Sequence, residues 1–121
     1  MSQKVTNLAA KLSLVNEHWV PKIVGELNGQ HVKIAKLKGD FVMHRHDDED
    51  ELFYVIEGQL FIELEDETLT LNAGEFVVIP RGVEHRPYAP EEVSVLLFEP
   101  ASTLNTGNHQ NERTISDPER I

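Results

Sequence analysis

The sequence predicts an all-β fold of the sandwich or barrel type, and three observations carry that expectation. Short apolar segments recur with turn signals at close spacing, as in antiparallel all-β architectures. Several segments alternate with period two: Leu60, Ile62 and Leu64 face one way while Glu63 and Glu65 face the other. Others, Phe76 to Ile79 and Glu92 to Phe98, are brief apolar runs of the kind expected for strands covered on both faces. With 121 residues the chain is expected to form one domain with a single core.

Each element has a local reason. Leu8, Ala9, Leu12 and Val15 sit at near-helical spacing after Thr6 or Asn7, either of which can cap a short amphipathic N-terminal helix. His18 to Leu27 leans to β structure but contains Pro21, which suits an edge strand or an arm. Asn28-Gly29 marks a hairpin turn. From Gln30 to Lys38 the pattern sets Val32, Ile34 and Leu37 against His31, Lys33 and Lys36, a half-buried strand with a slip near Ala35. After Ile62, Asp66-Glu67 turns the chain into Thr68 to Leu71. Beyond Pro100 the sequence is polar without apolar periodicity and reads as a tail, or as a clasp over another surface. The chain thus divides into an N-terminal helix and edge strand or arm (1–29), a β domain (30–99) and a polar C-terminal tail (100–121).

The chemistry concentrates between Gly39 and Gly58. His44 and His46 are two apart, so an extended Phe41 to His46 sends both imidazoles to one face. Glu51 heads the run Leu52 to Ile56 and shares a strand phase with Phe53 and Val55. Glu49 and Asp50 can reach the same point, but the phase favours Glu51, and Asp47 to Asp50 read as a solvated loop. His85 follows Pro80 and Gly82, residues that punctuate a tight turn. Three imidazoles and a carboxylate suit a borderline divalent transition metal: iron, manganese, nickel, copper or zinc. His18, His31 and His109 are read as structural, and Arg45, Arg81 and Arg86 as solvated. Ile34, Phe41, Phe53, Phe76 and Leu96 are expected in the core or lining a pocket. Tyr54 and Ile56, opposite in phase to Glu51, call for an outer cover, and a second subunit supplies it in a homodimer.

These two stretches resemble the paired motifs of the cupins. The first motif, glycine, His-x-His, glutamate and glycine, is matched by Gly39, His44, His46, Glu51 and Gly58. The second, glycine, Pro-x-Gly, histidine and often asparagine, is matched by Gly74, Pro80, Gly82 and His85. The spacer after Gly39 is one residue short, and Ala89 stands at the asparagine position. The resemblance covers roughly residues 30 to 99. It implies a jelly-roll β-barrel with His44, His46, Glu51 and His85 as metal ligands. The short interval between Gly58 and Gly74 is similar to that of compact cupins labelled mannose-6-phosphate isomerase-like, a label that does not establish the activity.

Composition narrows the function further. Without cysteine, any metal must be held by nitrogen and oxygen. A formal charge of -10 argues against a nucleic-acid surface. No secretory leader is evident and no stretch of about 18 apolar residues occurs, so a cytoplasmic protein without membrane contact is expected. The expected function is a metal-dependent enzyme acting on a small, oxygen-rich metabolite as an isomerase, lyase or dioxygenase. The alternative is a non-catalytic module that binds or senses a small ligand.

Overall fold

The computed structural model describes residues 4–121; the first three residues of the 1–29 segment lie outside the described residues. A five-residue helix, α1 (Leu8–Leu12), opens the chain, and the Asn7 side chain caps it by accepting from the Ala10 N–H at 2.9 Å. Seven strands follow: β1 (Lys22–Leu27), β2 (Gln30–Asp40), β3 (Glu51–Glu57), β4 (Gln59–Glu63), β5 (Thr68–Asn72), β6 (Phe76–Ile79) and β7 (Arg86–Pro100). All pairings between them are antiparallel, in the order β1-β2-β7-β3-β6 with β4 and β5 attached through β7, which is the expected jelly roll. The long strand β7 serves both parts. Its start, Arg86 to Tyr88, pairs with β4, and its end lies between β2 and β3.

The barrel interior holds one continuous apolar cluster that includes Leu37, Phe53, Val55, Leu60, Ile62, Leu71, Ile79, Val93 and Val95. Strand alternation explains the membership: these are the inward phases of β2 to β7. A second cluster lies outside the barrel, where Leu12 and Val15 cover Ile34, flanked by Val24, Ile56 and Ile121.

Four expectations change here. The inward phase of β2 is His31, Lys33, Ala35 and Leu37, all buried, whereas Val32 and Ile34 lie on the opposite face. Two polar residues therefore sit inside, and the apparent slip near Ala35 is an unbroken strand whose inner end is polar. Strand β6 is a sheet edge and is not covered on both faces: Phe76 is 62% and Val78 47% exposed, so Phe76 is not a core residue. Leu96 is only half-buried, since its phase on β7 is outward. Ile56 is covered by the chain's own N-terminal helix, so that residue needs no second subunit.

The polar segment after Pro100 folds back over the barrel mouth. Asn108 grips Arg45 twice, its N–H donating to the Arg45 carbonyl at 3.0 Å and its side-chain oxygen accepting from the Arg45 N–H at 2.8 Å. The Ser102 hydroxyl donates to Glu49 at 2.7 Å, Thr106 is fully buried, and the Ile121 N–H donates to the Ile23 carbonyl at 3.0 Å. Gly107 is the point of closest approach: its φ is +56°, and a β-carbon there would stand 2.2 Å from the Arg45 carbonyl oxygen and 2.9 Å from the His44 ring. Only glycine fits. Gly107→Ala is therefore expected to lower Tm by about 5 °C or more in a thermal melt, from a backbone clash that costs on the order of 1–3 kcal/mol; an unchanged Tm would mean that the clasp does not pack against the His44 segment.

Candidate metal centre

His44 and His85 are brought face to face by their own backbones. The His44 N–H donates to the His85 carbonyl at 3.0 Å and the His85 N–H returns to the His44 carbonyl at 2.8 Å, an antiparallel bridge outside the named strands. The turn at Pro80 makes this possible. The Val83 N–H bonds back to the Pro80 carbonyl at 3.2 Å, and Gly82, at φ +81°, gives its N–H to the His46 carbonyl at 2.8 Å. Glu51, the first residue of β3, enters from the sheet side, paired with Ile79 of β6.

The structure thus brings all four sequence-predicted residues together. His44, His46, Glu51 and His85 are each buried, and one ligand-type atom from each lies within 4.8 Å of the others. The ring orientations are set locally. His44 Nδ1 meets the Val42 carbonyl at 2.8 Å and His85 Nδ1 meets the Val83 carbonyl at 3.0 Å. A carbonyl only accepts, so both Nδ1 atoms carry a proton, which leaves the two Nε2 atoms as the ligand-type atoms of these rings. Glu51 Oε1 stands 3.2 Å from His46 Nε2 and 3.3 Å from His85 Nε2, yet none of these three buried atoms forms a hydrogen bond. Unpaired polar atoms converging in a protein interior are costly. A divalent ion would satisfy all of them at once, so the donor set fits a transition metal held by nitrogen and oxygen.

The electrostatics prepare the same donors. Burial, followed by the neighbouring His85, lowers the His44 pKa to about 4, leaving a neutral imidazole at ordinary pH. Burial pushes the Glu51 carboxyl up, but the adjacent His46 and His85 prevail and hold it well below its usual range. Packing steadies the rings: Phe41 meets His44 edge-on at 5.5 Å and Phe53 meets His85 at 6.0 Å.

Beside His44 and Glu51 lies a pocket with about 40 Å³ of free volume, room for a few waters or the reacting end of a compact ligand. Its wall is mostly apolar, with Trp19, Phe41 and Phe53 prominent, so Phe41 and Phe53 line the pocket as expected. Trp19 escaped the sequence reading. It stacks on Phe41 at 4.8 Å and is held at φ +65° while its indole N–H donates to the Lys38 carbonyl at 2.7 Å. Glu99 and Asn105, also unforeseen, supply further polar groups to the wall. Arg45 and Arg81 turn outward to Asp47 and Asp50, and Arg86 to Glu63. Asp50 is thereby committed to Arg81 rather than to the centre. Ala89, at the motif's asparagine position, is packed in the apolar core.

A neutral, buried His44 makes stability pH-dependent. Its folded pKa lies below the unfolded value of about 6.5, so the unfolded chain binds the extra proton and stability falls as pH drops from about 6.5 to about 4. For the metal-free protein, urea denaturation across that window is expected to show the wild type losing about 3 kcal/mol more than His44→Gln. Parallel curves would show that His44 is not held neutral.

Comparison with known proteins agrees with this geometry. The model of the cupin domain family matches residues 30–99. The uncharacterised protein YdbB of Bacillus subtilis is 39% identical over 84 residues, covering 69% of this chain and 74% of its own length. An acireductone dioxygenase of Yarrowia lipolytica is 29% identical over 89 residues; the match covers 69% of this chain but only about half, 51%, of the dioxygenase. Among solved structures, a cupin-2 domain protein of Shewanella frigidimarina superposes with a TM-score of 0.79 at 48% identity, over 79% of this chain and 94% of that one. The described residues contain no helix long and apolar enough to cross a membrane. With its jelly roll, its paired motifs and a family match over more than half its length, the chain belongs to the cupin superfamily.

Proposed function

We propose that the protein is a metal-dependent cupin enzyme acting on a compact, oxygen-rich metabolite, with His44, His46, Glu51 and His85 holding a divalent transition metal. The observation that carries this reading is the convergence of four buried donors, three of them without a hydrogen-bond partner, at the end of an apolar pocket. When bound, such an ion polarises a carbonyl or lowers the pKa of a coordinated water. The chain's own contribution is to aim the His44 and His85 rings, to keep His44 neutral and Glu51 ionised, and to exclude bulk water with Trp19, Phe41 and Phe53. Similarity to an acireductone dioxygenase favours dioxygenase chemistry over isomerase or lyase chemistry.

Elemental analysis of untagged protein purified without chelator is expected to find close to one divalent transition metal per chain, lost from His44→Ala/His46→Ala. An empty wild type that also refuses added metal would overturn the reading. Turnover in a panel of small keto acids, sugars and dihydroxy compounds separates an enzyme from the alternative, a module that binds without reaction.

We also propose a homodimer through the outer face of β7, β3 and β6. The pairing register places Phe98, Leu52 and Val78 in one cross-strand row and Leu96, Tyr54 and Phe76 in the next, none of them fully buried. This apolar face lets two chains of charge -10 meet without opposing like charges. Sedimentation equilibrium is expected to give a dimer for the wild type and a monomer for Phe76→Asp/Val78→Asp; a monomeric wild type at tens of micromolar refutes the interface.

A further inference from the structure

Two ionisable residues lie inside the barrel where its apolar pattern would otherwise continue. Along β7 the inward phase runs Val93, Val95, Leu97 and then Glu99; along β2 it runs Leu37, Ala35 and then Lys33. Glu99 and Lys33 are each only 2% exposed, and Lys33 Nζ approaches Glu99 Oε1 at 3.4 Å. As a stabilising device this pair is poor. The contact is long, both groups are stripped of water, and apolar residues of similar volume would do as well or better.

The remaining oxygen, Glu99 Oε2, is buried without a hydrogen-bond partner, and Glu99 lines the same pocket as His44 and Glu51. The pocket's other polar side-chain groups outside the centre are committed: the Trp19 indole N–H donates to the Lys38 carbonyl at 2.7 Å, Asn105 Nδ2 donates to the Arg113 carbonyl at 2.7 Å and Asn105 Oδ1 accepts from the Ile115 N–H at 2.8 Å. Glu99 is not among the converging donors of the centre. Apart from the centre, Glu99 Oε2 is therefore the pocket's uncommitted polar side-chain atom among the described residues.

We propose that Glu99, braced by Lys33, is a specificity-determining residue that binds the hydroxyl of a small hydroxy acid or hydroxy ketone anchored through a neighbouring oxygen at the centre of His44, His46, Glu51 and His85. The inference rests on the metal reading above. The carboxyl of Glu99 sits beside Glu51, so a ligand held at the centre lies within its reach. Lys33 keeps the carboxyl from rotating away, and the apolar wall accommodates only the carbon end of such a ligand. The small volume limits that end to a few carbons.

The test uses cobalt(II), whose visible absorption reports ligand exchange, with glycolate and acetate as probes that differ by one hydroxyl. Cobalt-loaded wild type is expected to prefer glycolate. Lys33→Met/Glu99→Met is expected to keep its cobalt content and its Tm while the glycolate-over-acetate ratio falls about tenfold, the loss of one buried hydrogen bond. Glu99→Gln, which preserves shape, is expected to lower the ratio by a smaller factor. An unchanged ratio in the double variant overturns the proposal. So does a fall in Tm or cobalt content with the ratio preserved, which would make the pair structural. A wild type that takes up no cobalt instead fails the metal reading itself, and the role of Glu99 with it.

Discussion

The exchange of two backbone hydrogen bonds between His44 and His85 is the constraint on which the site depends. A hydrogen-bonded antiparallel pair holds its two α-carbons about 5.5 Å apart, so the two imidazoles are neighbours before any side-chain interaction is considered. The pair joins segments that lie far apart in sequence, one following β2 and the other preceding β7. It is flanked by the Gly82 to His46 bond and by the contacts of each ring with the carbonyl two residues earlier. Backbone geometry therefore supplies the convergence, and the ligand-type residues exploit it.

The barrel is divided along its length. One end is an ordinary apolar core in which Leu60, Ile62, Val55, Val93 and Val95 are essentially inaccessible to water. The other end carries His31, Lys33, Glu99, Glu51 and three further histidines, all buried. Burial and the charge of Glu51 push the Glu99 carboxyl well above its ordinary range, while Glu51 itself stays ionised. Two carboxyls, an ammonium and unpaired imidazole nitrogens in so little space would not be selected for stability. The apolar end and the enveloping clasp supply the stability that the polar end consumes.

The ligand set was legible because two independent regularities agreed: strand phase aligned His44 with His46 and Glu51 with Phe53, and the spacing around Pro80 and Gly82 completed the paired motif. Strands and turns between Gly58 and Ile79 were legible for the same reason, period-two alternation. The phase of β2 was not. His31 and Lys33 are the polar members of the alternation, and a reading by hydropathy turns them to solvent although they point inward. Glu99 was hidden in a similar way, as a charge at the end of an apolar run where a strand would be expected to leave the core. The start of β7 was obscured by Pro87 and Pro90, and the clasp by its chemistry: it is folded by hydrogen bonds of Asn105, Thr106 and Asn108 rather than by an apolar stripe.

Strand β7 lies between β2 and β3, and its beginning also pairs with β4. Its inward phase supplies the core through Val93, Val95 and Leu97 and the polar end through Glu99. From Val93 to Pro100 the pairing with β2 is unbroken, whereas Pro90 to Glu92 are exposed where the register shifts opposite Leu37 and Gly39. The insertion or deletion of one residue between Val93 and Leu96 would turn Leu96 and Phe98 inward and Glu99 outward, or else break the ladder on both sides. Residue identities along this half of β7 can change one at a time, but the number of residues between Val93 and Pro100 cannot. That half of the strand acts as a ruler for the domain, and variation in its length is closed to this chain even where variation in its sequence is open.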